Sequence, residues 1–180
     1  MPDPLTTPES RRAQKAAADL HERVGPLNSA ALDLLFLQAR SHNGWLHRAV
    51  PEALIRELYE ITRWGPTSMN CSPARFVFVR SIAGKERLRP ALAPANVEKV
   101  VTAPVVAIAG FDLRFMDHLP RLFPHRDLSA AFAGDLPKAR ETAFRNATLQ
   151  AAYLMLAARA LGLDCGPMSG FDAAAVDREF

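Results

Sequence analysis

The feature that most constrains the fold is a long segment rich in alanine and leucine, residues 138–161. This composition favours one long helix, and Gly162 stands where helices commonly end in a left-handed residue. The second half of the segment is apolar on nearly every side, which predicts burial in the core or at a subunit interface. The longest apolar run, residues 147–158, is too short to cross a bilayer, so no membrane span is expected.

Composition bounds the class of protein. The chain has 180 residues, of which 49% are hydrophobic and 23% charged, which is typical of one globular domain. We expect an N-terminal arm and helix over residues 1–28 and a single domain over residues 29–180. The net charge is +3, and the arginines are scattered rather than clustered, which argues against a nucleic-acid partner. Cys71 and Cys165 lack metal-binding spacing, and two thiols without a secretory leader favour the cytoplasm.

The remaining apolar patterns predict several shorter helices. Leu54, Ile55, Leu58 and Ile61 form one stripe on a helix that begins after Pro51 and covers residues 52–63. The other predicted helices cover residues 10–24, 30–40, 84–92, 97–101 and 172–180.

Three segments are predicted as strands: residues 75–80, 103–111 and 164–171. The middle one is an uninterrupted apolar run, which indicates a strand buried on both faces. Residues 112–137 lack a clean period and are predicted to form a long loop with one or two short helices. Helices interleaved with few strands predict an α+β fold.

The loop between the second amphipathic helix and the first strand, residues 64–73 (WGPTSMNCSP), is unusually polar. Pro66 and Pro73 stiffen its two ends, and short polar side chains lie between them. It can be a surface connector, which is the commoner case, or a set of hydrogen-bonding groups around a planar polar ligand. We call it the 64–73 loop.

Common catalytic and phosphate-binding motifs do not occur in this chain. It has no GxGxxG, GxxxxGK[ST] or HExxH pattern, and in GPMSG the serine is one place late for a nucleophile elbow. His118 and His125 stand near Asp117 and Asp127, but loop histidines usually bind no metal, so no metal site is expected.

Three further segments can meet around an anionic planar ligand. Arg40, at a predicted helix end, offers a guanidinium for a phosphate, although the same charge can simply offset the helix dipole. Asn96 and Lys99 lie three residues apart on one helical face, where such pairs are more often solvated. Gly170 lets backbone N–H groups approach a ligand, but a plain strand-to-helix turn needs it equally.

Taken together, these motifs resemble the nitroreductase-like flavoprotein family, and within it the malonic semialdehyde reductase branch of uracil breakdown. The resemblance covers residue 29 to the end of the chain. It rests on ARSHNGWL (39–46), WGPTSMNCSPAR (64–75), ERLRPAL (86–92), LPRLFPH (119–125), ETAFRN (141–146) and ALGLDCGPMSGFD (160–172).

The resemblance implies a nitroreductase-like fold, with a mixed or antiparallel central sheet flanked by helices and FMN sites at a homodimer interface. It implies that FMN is held by four groups of residues: the phosphate by Arg40, Ser41, His42 and Asn43; the flavin, from the partner subunit, by Pro66, Thr67, Ser68 and Asn70; the pyrimidine end of the ring by Asn96 and Lys99; and the N5 region by Pro167, Met168, Ser169 and Gly170.

The implied reaction is reduction of malonic semialdehyde to 3-hydroxypropionate by NADH or NADPH, with ping-pong hydride transfer through flavin N5. Arg121 and His125 are candidates for binding the substrate carboxylate, with Arg75 and Arg145 less favoured. The alternatives are a broad nitro- or quinone-reducing enzyme of the same fold, a non-catalytic flavin-binding protein, and a helical interaction module without flavin. The chain departs from the family at Gly44, where relatives often carry a basic residue, and we expect the family's C-terminal segment to be absent.

Overall fold

The computed structural model of the protein describes residues 7–132 and 134–180. The chain divides into two compact units, with the boundary in sequence between Gln38 and Ala39. In the first unit, helix α1 spans Pro8–Arg23, helix α2 spans Ser29–Leu32, and a π-helical turn covers Asp33–Leu37. None of these helices contains a buried residue. Residues 1–6 of the predicted N-terminal arm lie outside the described residues.

The second unit contains helices on either side of a small sheet. Its helices are α3 (Glu52–Thr62), α4 (Ile82–Leu88), α5 (Pro94–Thr102), α6 (Leu119–Leu122), α7 (Leu136–Ala160) and α8 (Ala173–Glu179). Its strands are β1 (Ala74–Val79) and β2 (Val106–Phe111). Short 3₁₀ turns occupy Ser68–Asn70, Arg89–Ala91, Phe115–His118 and Ser129–Ala131.

The two strands pair antiparallel, from Ala74 opposite Phe111 to Val79 opposite Val106. Phe76 and Phe78 on β1 pack against the cluster that α3 and α7 build, while Val79 belongs to a second cluster with α4 and α5. The sheet therefore has helices on both faces. This confirms the predicted α+β class and the antiparallel sheet flanked by helices.

Two strand predictions were wrong in detail. In the apolar run 103–111 only Val106–Phe111 forms a strand, and Ala107 and Ala109 are exposed, so that strand is not buried on both faces. Residues 164–171 form no strand among the described residues; only Phe171 makes an isolated bridge, to Leu92. Pairing with a distant segment decides whether such a run becomes a strand, and local composition does not contain that information.

Some helix boundaries also differ from the predictions. The helix predicted over residues 97–101 begins earlier, at Pro94, because a proline at the first helical position lacks only an N–H that would be unpaired there anyway. The helix predicted over residues 30–40 passes into the π-helical turn after Leu32 and ends at Gln38, whose N–H donates to the carbonyl of Asp33 at 2.9 Å.

Helix α7 is the longest element of the second unit, as its composition predicted. The Asp135 side chain caps it by accepting from the N–H of Lys138, and Gly162, at φ +76°, ends it. Its buried positions lie mostly on one side, while Phe144 and Leu149 on the other are 60% and 50% exposed. The predicted burial of α7 is therefore only partial in this chain.

Within residues 7–132 and 134–180, the core consists of three clusters of buried side chains. One joins the 64–73 loop and the 112–132 region to α7 through Cys71, Phe115, Leu119, Phe132, Ala139 and Ala143. A second joins β1 to α4, α5 and α8 through Val79, Leu88, Ala91, Val100 and Val176. The third packs α3 on α7 through Leu58, Leu154, Ala157 and Ala158. In the part of the chain that the structure describes, no helix is both long and apolar enough to span a membrane.

Candidate functional site

The predicted phosphate-binding segment, residues 40–43, lies against the segment that follows α7. The N–H of His42 donates to the carbonyl oxygen of Cys165 at 3.0 Å. A Cβ atom at Gly166 would lie 2.3 Å from the backbone oxygen of His42 and 2.9 Å from the Trp45 ring. Only a glycine permits this approach, because both neighbours would otherwise have to shift.

The other two predicted segments also meet. The side-chain amide of Asn96 donates to the carbonyl of Gly170 at 3.0 Å, and the N–H of Ala93 donates to the same oxygen at 2.9 Å. The Trp45 indole N–H donates to the carbonyl of Lys99 at 2.7 Å. The structure therefore brings together three segments that are far apart in sequence: 40–45, 93–99 and 165–170. We call this group the three-segment site.

The polar groups on the outer side of this site are solvent-accessible. Arg40, Ser41 and Asn43 are exposed, and their guanidinium, hydroxyl and amide groups suit an anion. His42 is half-buried, and its Nε2 lies 3.4 Å from the carboxylate of Asp164. Asp164 is an acidic neighbour that the sequence interpretation did not consider, and it opposes binding of a phosphate at this end.

The rest of the 165–170 segment alternates between covered and exposed positions. Pro167 and Ser169 are exposed, while Met168 is partly buried against the β1–α4–α5 cluster. Burial raises the pKa of the Cys165 thiol above its usual value, so the thiol stays neutral near pH 7. Cys165 therefore acts here through its backbone carbonyl and not as a nucleophile.

The 64–73 loop is held by other elements. The N–H of Ser68 donates to Oδ1 of Asn146 on α7 at 2.7 Å, and the amide of Asn70 donates to the carbonyl of Leu122 at the end of α6 at 3.0 Å. Within the loop, the Thr67 hydroxyl accepts from the N–H of Ser72 at 3.1 Å. Among the described residues, the hydrogen bonds that join Pro66–Asn70 to other elements lead to α6 and α7, not to the three-segment site.

The backbone of this loop is unusual for its residue types. Met69, Asn70 and Ser72 have φ values of 54°, 49° and 40°, in the left-handed region that non-glycine residues rarely adopt. Each such residue costs of order 1 kcal/mol and persists only where its surroundings enforce it. Strain of this kind is commoner in functional loops than in surface connectors.

The candidate substrate-binding residues lie in the 112–132 region. Arg121 is exposed on α6, and the ring of His125 stands 5.3 Å from that of Phe123, edge to face. The two less favoured arginines are engaged in ion pairs: Arg75 with Asp112 at 2.6 Å and Arg145 with Glu141 at 3.0 Å.

Among the described residues, His118 and His125 belong to no group of three possible metal ligands. His118 lies 3.8 Å from the carboxylate of Asp112, which also pairs with Arg75. Over residues 7–132 and 134–180, no three His, Cys, Asp or Glu side chains come close enough to hold a metal ion.

Sequence reasoning missed Trp45, Asn146 and Gln150. Trp45 gave a faint signal, because a lone tryptophan in a polar segment commonly anchors it. The amide of Gln150 lies in the apolar run that was predicted to be buried, and a buried polar side chain always needs a partner. In the structure, its Oε1 accepts from the N–H of Ala74 at 2.8 Å. A polar side chain within an apolar run was therefore a sequence signal for such a contact.

Comparison with known proteins gives consistent results. The model of the "Nitroreductase family" matches residues 37–180. A protein of Cupriavidus pinatubonensis, provisionally named an NADH dehydrogenase/NAD(P)H nitroreductase, is 60% identical over 152 residues, which are 83% of this chain and 78% of that protein. A protein of the same provisional name from Ralstonia pickettii, HadB, is 60% identical over 153 residues, with the same coverage.

Among solved structures, a provisionally named nitroreductase from Exiguobacterium sibiricum, determined in complex with FMN, has the same fold. Its TM-score is 0.74 at 22% identity, and the match covers 87% of this chain and 82% of that one.

Proposed function

The chain belongs to the nitroreductase family, and from that premise we propose that it is an FMN-dependent oxidoreductase that takes its electrons from NADH or NADPH. The observation that carries this proposal is the convergence of segments 40–45, 93–99 and 165–170 through the bonds of Trp45, His42 and Asn96. The names of the relatives from Cupriavidus and Ralstonia support NADH or NADPH as the reductant.

The residues of the three-segment site fit FMN chemically. A doubly charged phosphate needs cationic and neutral donors, and Arg40, Ser41 and Asn43 offer them from exposed positions. Gly166 and Gly170 let the 40–45 and 93–99 segments pack closely against the 165–170 segment, which brings the proposed phosphate-binding and ring-binding residues together. When bound, FMN supplies the two-electron chemistry, while the protein orients it and sets its electronics.

We assign roles to the chain's own residues accordingly. The phosphate is held by Arg40, Ser41, His42 and Asn43. The carboxylate of Asp164 competes with the phosphate for His42. Asn96 and Lys99 border the pyrimidine end of the ring, where the Lys99 ammonium favours negative charge. Backbone groups of Pro167, Met168, Ser169 and Gly170 border the N5 side. Gly44 provides no additional charge.

The second half of the binding site comes, in this proposal, from a partner subunit. Pro66, Thr67, Ser68 and Asn70 would then reach the flavin of the other copy in a homodimer. Exposed apolar side chains in the second unit support an interface, since Trp64 is 82% exposed, Phe144 60% and Leu149 50%. Two free thiols, Cys71 and Cys165, favour a reducing compartment such as the cytoplasm.

For the electron acceptor we propose malonic semialdehyde, which would be reduced to 3-hydroxypropionate. The motif resemblance supports this substrate, and so does Arg121, a cationic side chain exposed on α6 that suits a carboxylate. His125 is the second candidate for this contact. The names of the relatives favour a different acceptor, a nitro compound, so a broad nitroreductase is the alternative function.

The test is an acceptor comparison on purified full-length protein. We expect a yellow protein that releases FMN on denaturation and that oxidises NADH or NADPH fastest with malonic semialdehyde. Faster turnover with nitroarenes or quinones would favour the alternative. Bound FMN without turnover of any acceptor would indicate a non-catalytic flavin protein. A colourless protein that does not bind added FMN would contradict the proposal altogether.

A further inference from the structure

One face of α7 contacts the 64–73 loop and the start of β1 at three successive points along the helix. Asn146, Gln150 and Tyr153 are spaced i, i+4 and i+7, which places them in one line along the helix. Asn146 accepts from Ser68, Gln150 accepts from Ala74, and the Tyr153 ring lies where a Cβ at Gly65 would approach within 2.7 Å. The helix therefore contacts the beginning and the middle of the loop and the first residue of β1, directly after the loop.

The two amides make these contacts in a nearly dry environment. Asn146 and Gln150 are each 6% exposed. The second group of the Asn146 amide donates to the carbonyl of Thr142 at 2.8 Å, so its orientation is set by the helix itself. Both bonds are partly buried, and such bonds cost more to lose than fully exposed ones, because water replaces the missing partner less readily.

The three contacts bracket the left-handed residues of the loop. Met69, Asn70 and Ser72 lie between Ser68 and Ala74, the two positions whose N–H groups bond to α7. A strained segment relaxes unless both ends are held. The α7 bonds supply part of that restraint from outside the loop, as the bond from Asn70 to Leu122 on α6 also does, whereas the Thr67–Ser72 bond acts only within it.

We propose that Asn146 is a positioning residue for flavin binding, which it supports by holding Ser68 and the left-handed turn after it in the binding conformation. This inference rests on the proposed function, in which Pro66–Asn70 contact FMN. Gln150 has the corresponding role at the loop's far end, where it fixes the start of β1. Neither amide touches the cofactor in this proposal.

The test combines two measurements on the full chain. Asn146→Leu keeps the side-chain volume and removes the acceptor, and Asn146→Asp keeps the accepting oxygen. Thr148→Ala is the matched control, because among the described residues the Thr148 hydroxyl bonds only to the carbonyl of Phe144 within the same helix. Hydrogen exchange of the 66–72 backbone is measured without FMN, and FMN affinity and the flavin's visible circular dichroism are measured with it.

We expect Asn146→Leu to speed exchange over residues 66–72 about tenfold and to weaken FMN binding by a similar factor, with an altered dichroism spectrum. Asn146→Asp should fall between Leu and wild type, and Thr148→Ala should match wild type. Should Asn146→Leu fail to fold, Asn146→Ala makes the same test, because it also removes the acceptor.

Two results would overturn the inference: unchanged loop exchange in the Leu variant, or faster exchange with unchanged FMN affinity and spectrum. Failure of the wild-type chain to bind FMN would instead overturn the proposed function, and the exchange data would still report whether Asn146 holds the loop.

Discussion

At the scale of single residues, Lys99 combines a partly buried position in the last turn of α5 with a backbone carbonyl bonded to Trp45. The carbonyl bond fixes the backbone at this point, while the ammonium group has no carboxylate within ion-pair distance among the described residues. A cation placed in this way affects the two redox states of a flavin differently. Its electrostatic attraction to the neutral oxidised ring is weak, and its attraction to the anionic reduced ring is stronger.

Lys99→Met keeps most of the side-chain volume and removes the charge. We therefore expect a modest loss of FMN affinity and a fall in the flavin midpoint potential of tens of millivolts, since about 30 mV corresponds to tenfold for two electrons. The potential should be measured on FMN-loaded protein, so that weak binding is not mistaken for a redox effect. An unchanged potential would place Lys99 away from the flavin.

Substitution of Arg40 tests whether the phosphate of FMN binds at this end of the proposed site. Arg40→Ala removes a guanidinium that can pair with phosphate, and Gly44 offers no replacement. Charged hydrogen bonds contribute about 1.5–3 kcal/mol, so FMN affinity should fall by about one to two decades. Arg48→Ala, an exposed arginine eight residues further along, is the control and should bind FMN like wild type. If the two variants bind FMN with equal affinity, Arg40 does not contact the phosphate and is only a charge at the helix end.

At the scale of elements, the 40–45 and 165–170 segments depend on each other through a backbone contact. A Cβ at Gly166 would lie 2.3 Å from the oxygen of His42, and a backbone atom cannot move aside as a flexible side chain can. This close contact explains why neither segment needs regular secondary structure to stay in place. It also makes Gly166 more sensitive than other glycines of the site.

Gly166→Ala should lower the free energy of unfolding by about 1–3 kcal/mol, as overpacking commonly does. The same substitution should weaken FMN binding, because His42 must shift. Gly44→Ala is the matched control: a Cβ there has no neighbour within 4 Å, and we expect a change within about 0.5 kcal/mol. Chemical denaturation and FMN titration of both variants check this. Similar stabilities would mean that the two segments pack independently.

At the scale of the whole molecule, the proposed homodimer accounts for two observations. The 64–73 loop bonds to α6 and α7 instead of to the three-segment site, and apolar side chains on the outer side of α7 remain exposed. We expect the protein to sediment as a dimer carrying two FMN molecules. A monomer with one tightly bound FMN per chain would contradict this.

A charge on the outer side of α7 should disrupt such a dimer. Leu149→Glu puts a carboxylate at a half-exposed apolar position and is expected to yield monomers that lose FMN. Ile82→Glu is the control, because Ile82 is 78% exposed on α4, away from α7. Sedimentation of both variants at several concentrations tests the expectation. If Leu149→Glu forms dimers of unchanged stability, that side of α7 does not belong to the interface.

Much of the fold could be predicted from the sequence. The helices 52–63 and 138–161 were predicted nearly to the residue, because an apolar stripe and a capping residue are local features. The motifs at Arg40, Asn96 and Gly170 were recognised individually for the same reason. The family, too, is determined by the order of residues, since the match over residues 37–180 needs no coordinates.

Other features were decided only by the tertiary structure. Residues 164–171 were predicted as a strand, yet in the part of the chain that the structure describes only Phe171 pairs, with Leu92. Strand formation needs a partner from elsewhere in the chain, and local sequence does not identify that partner. The contact of His42 with Gly166, the competition from Asp164 and the bond from Ser68 to Asn146 each join residues that are 78 or more positions apart. Local preferences specify helices and turns, whereas the site depends on packing between distant segments, which no local pattern records.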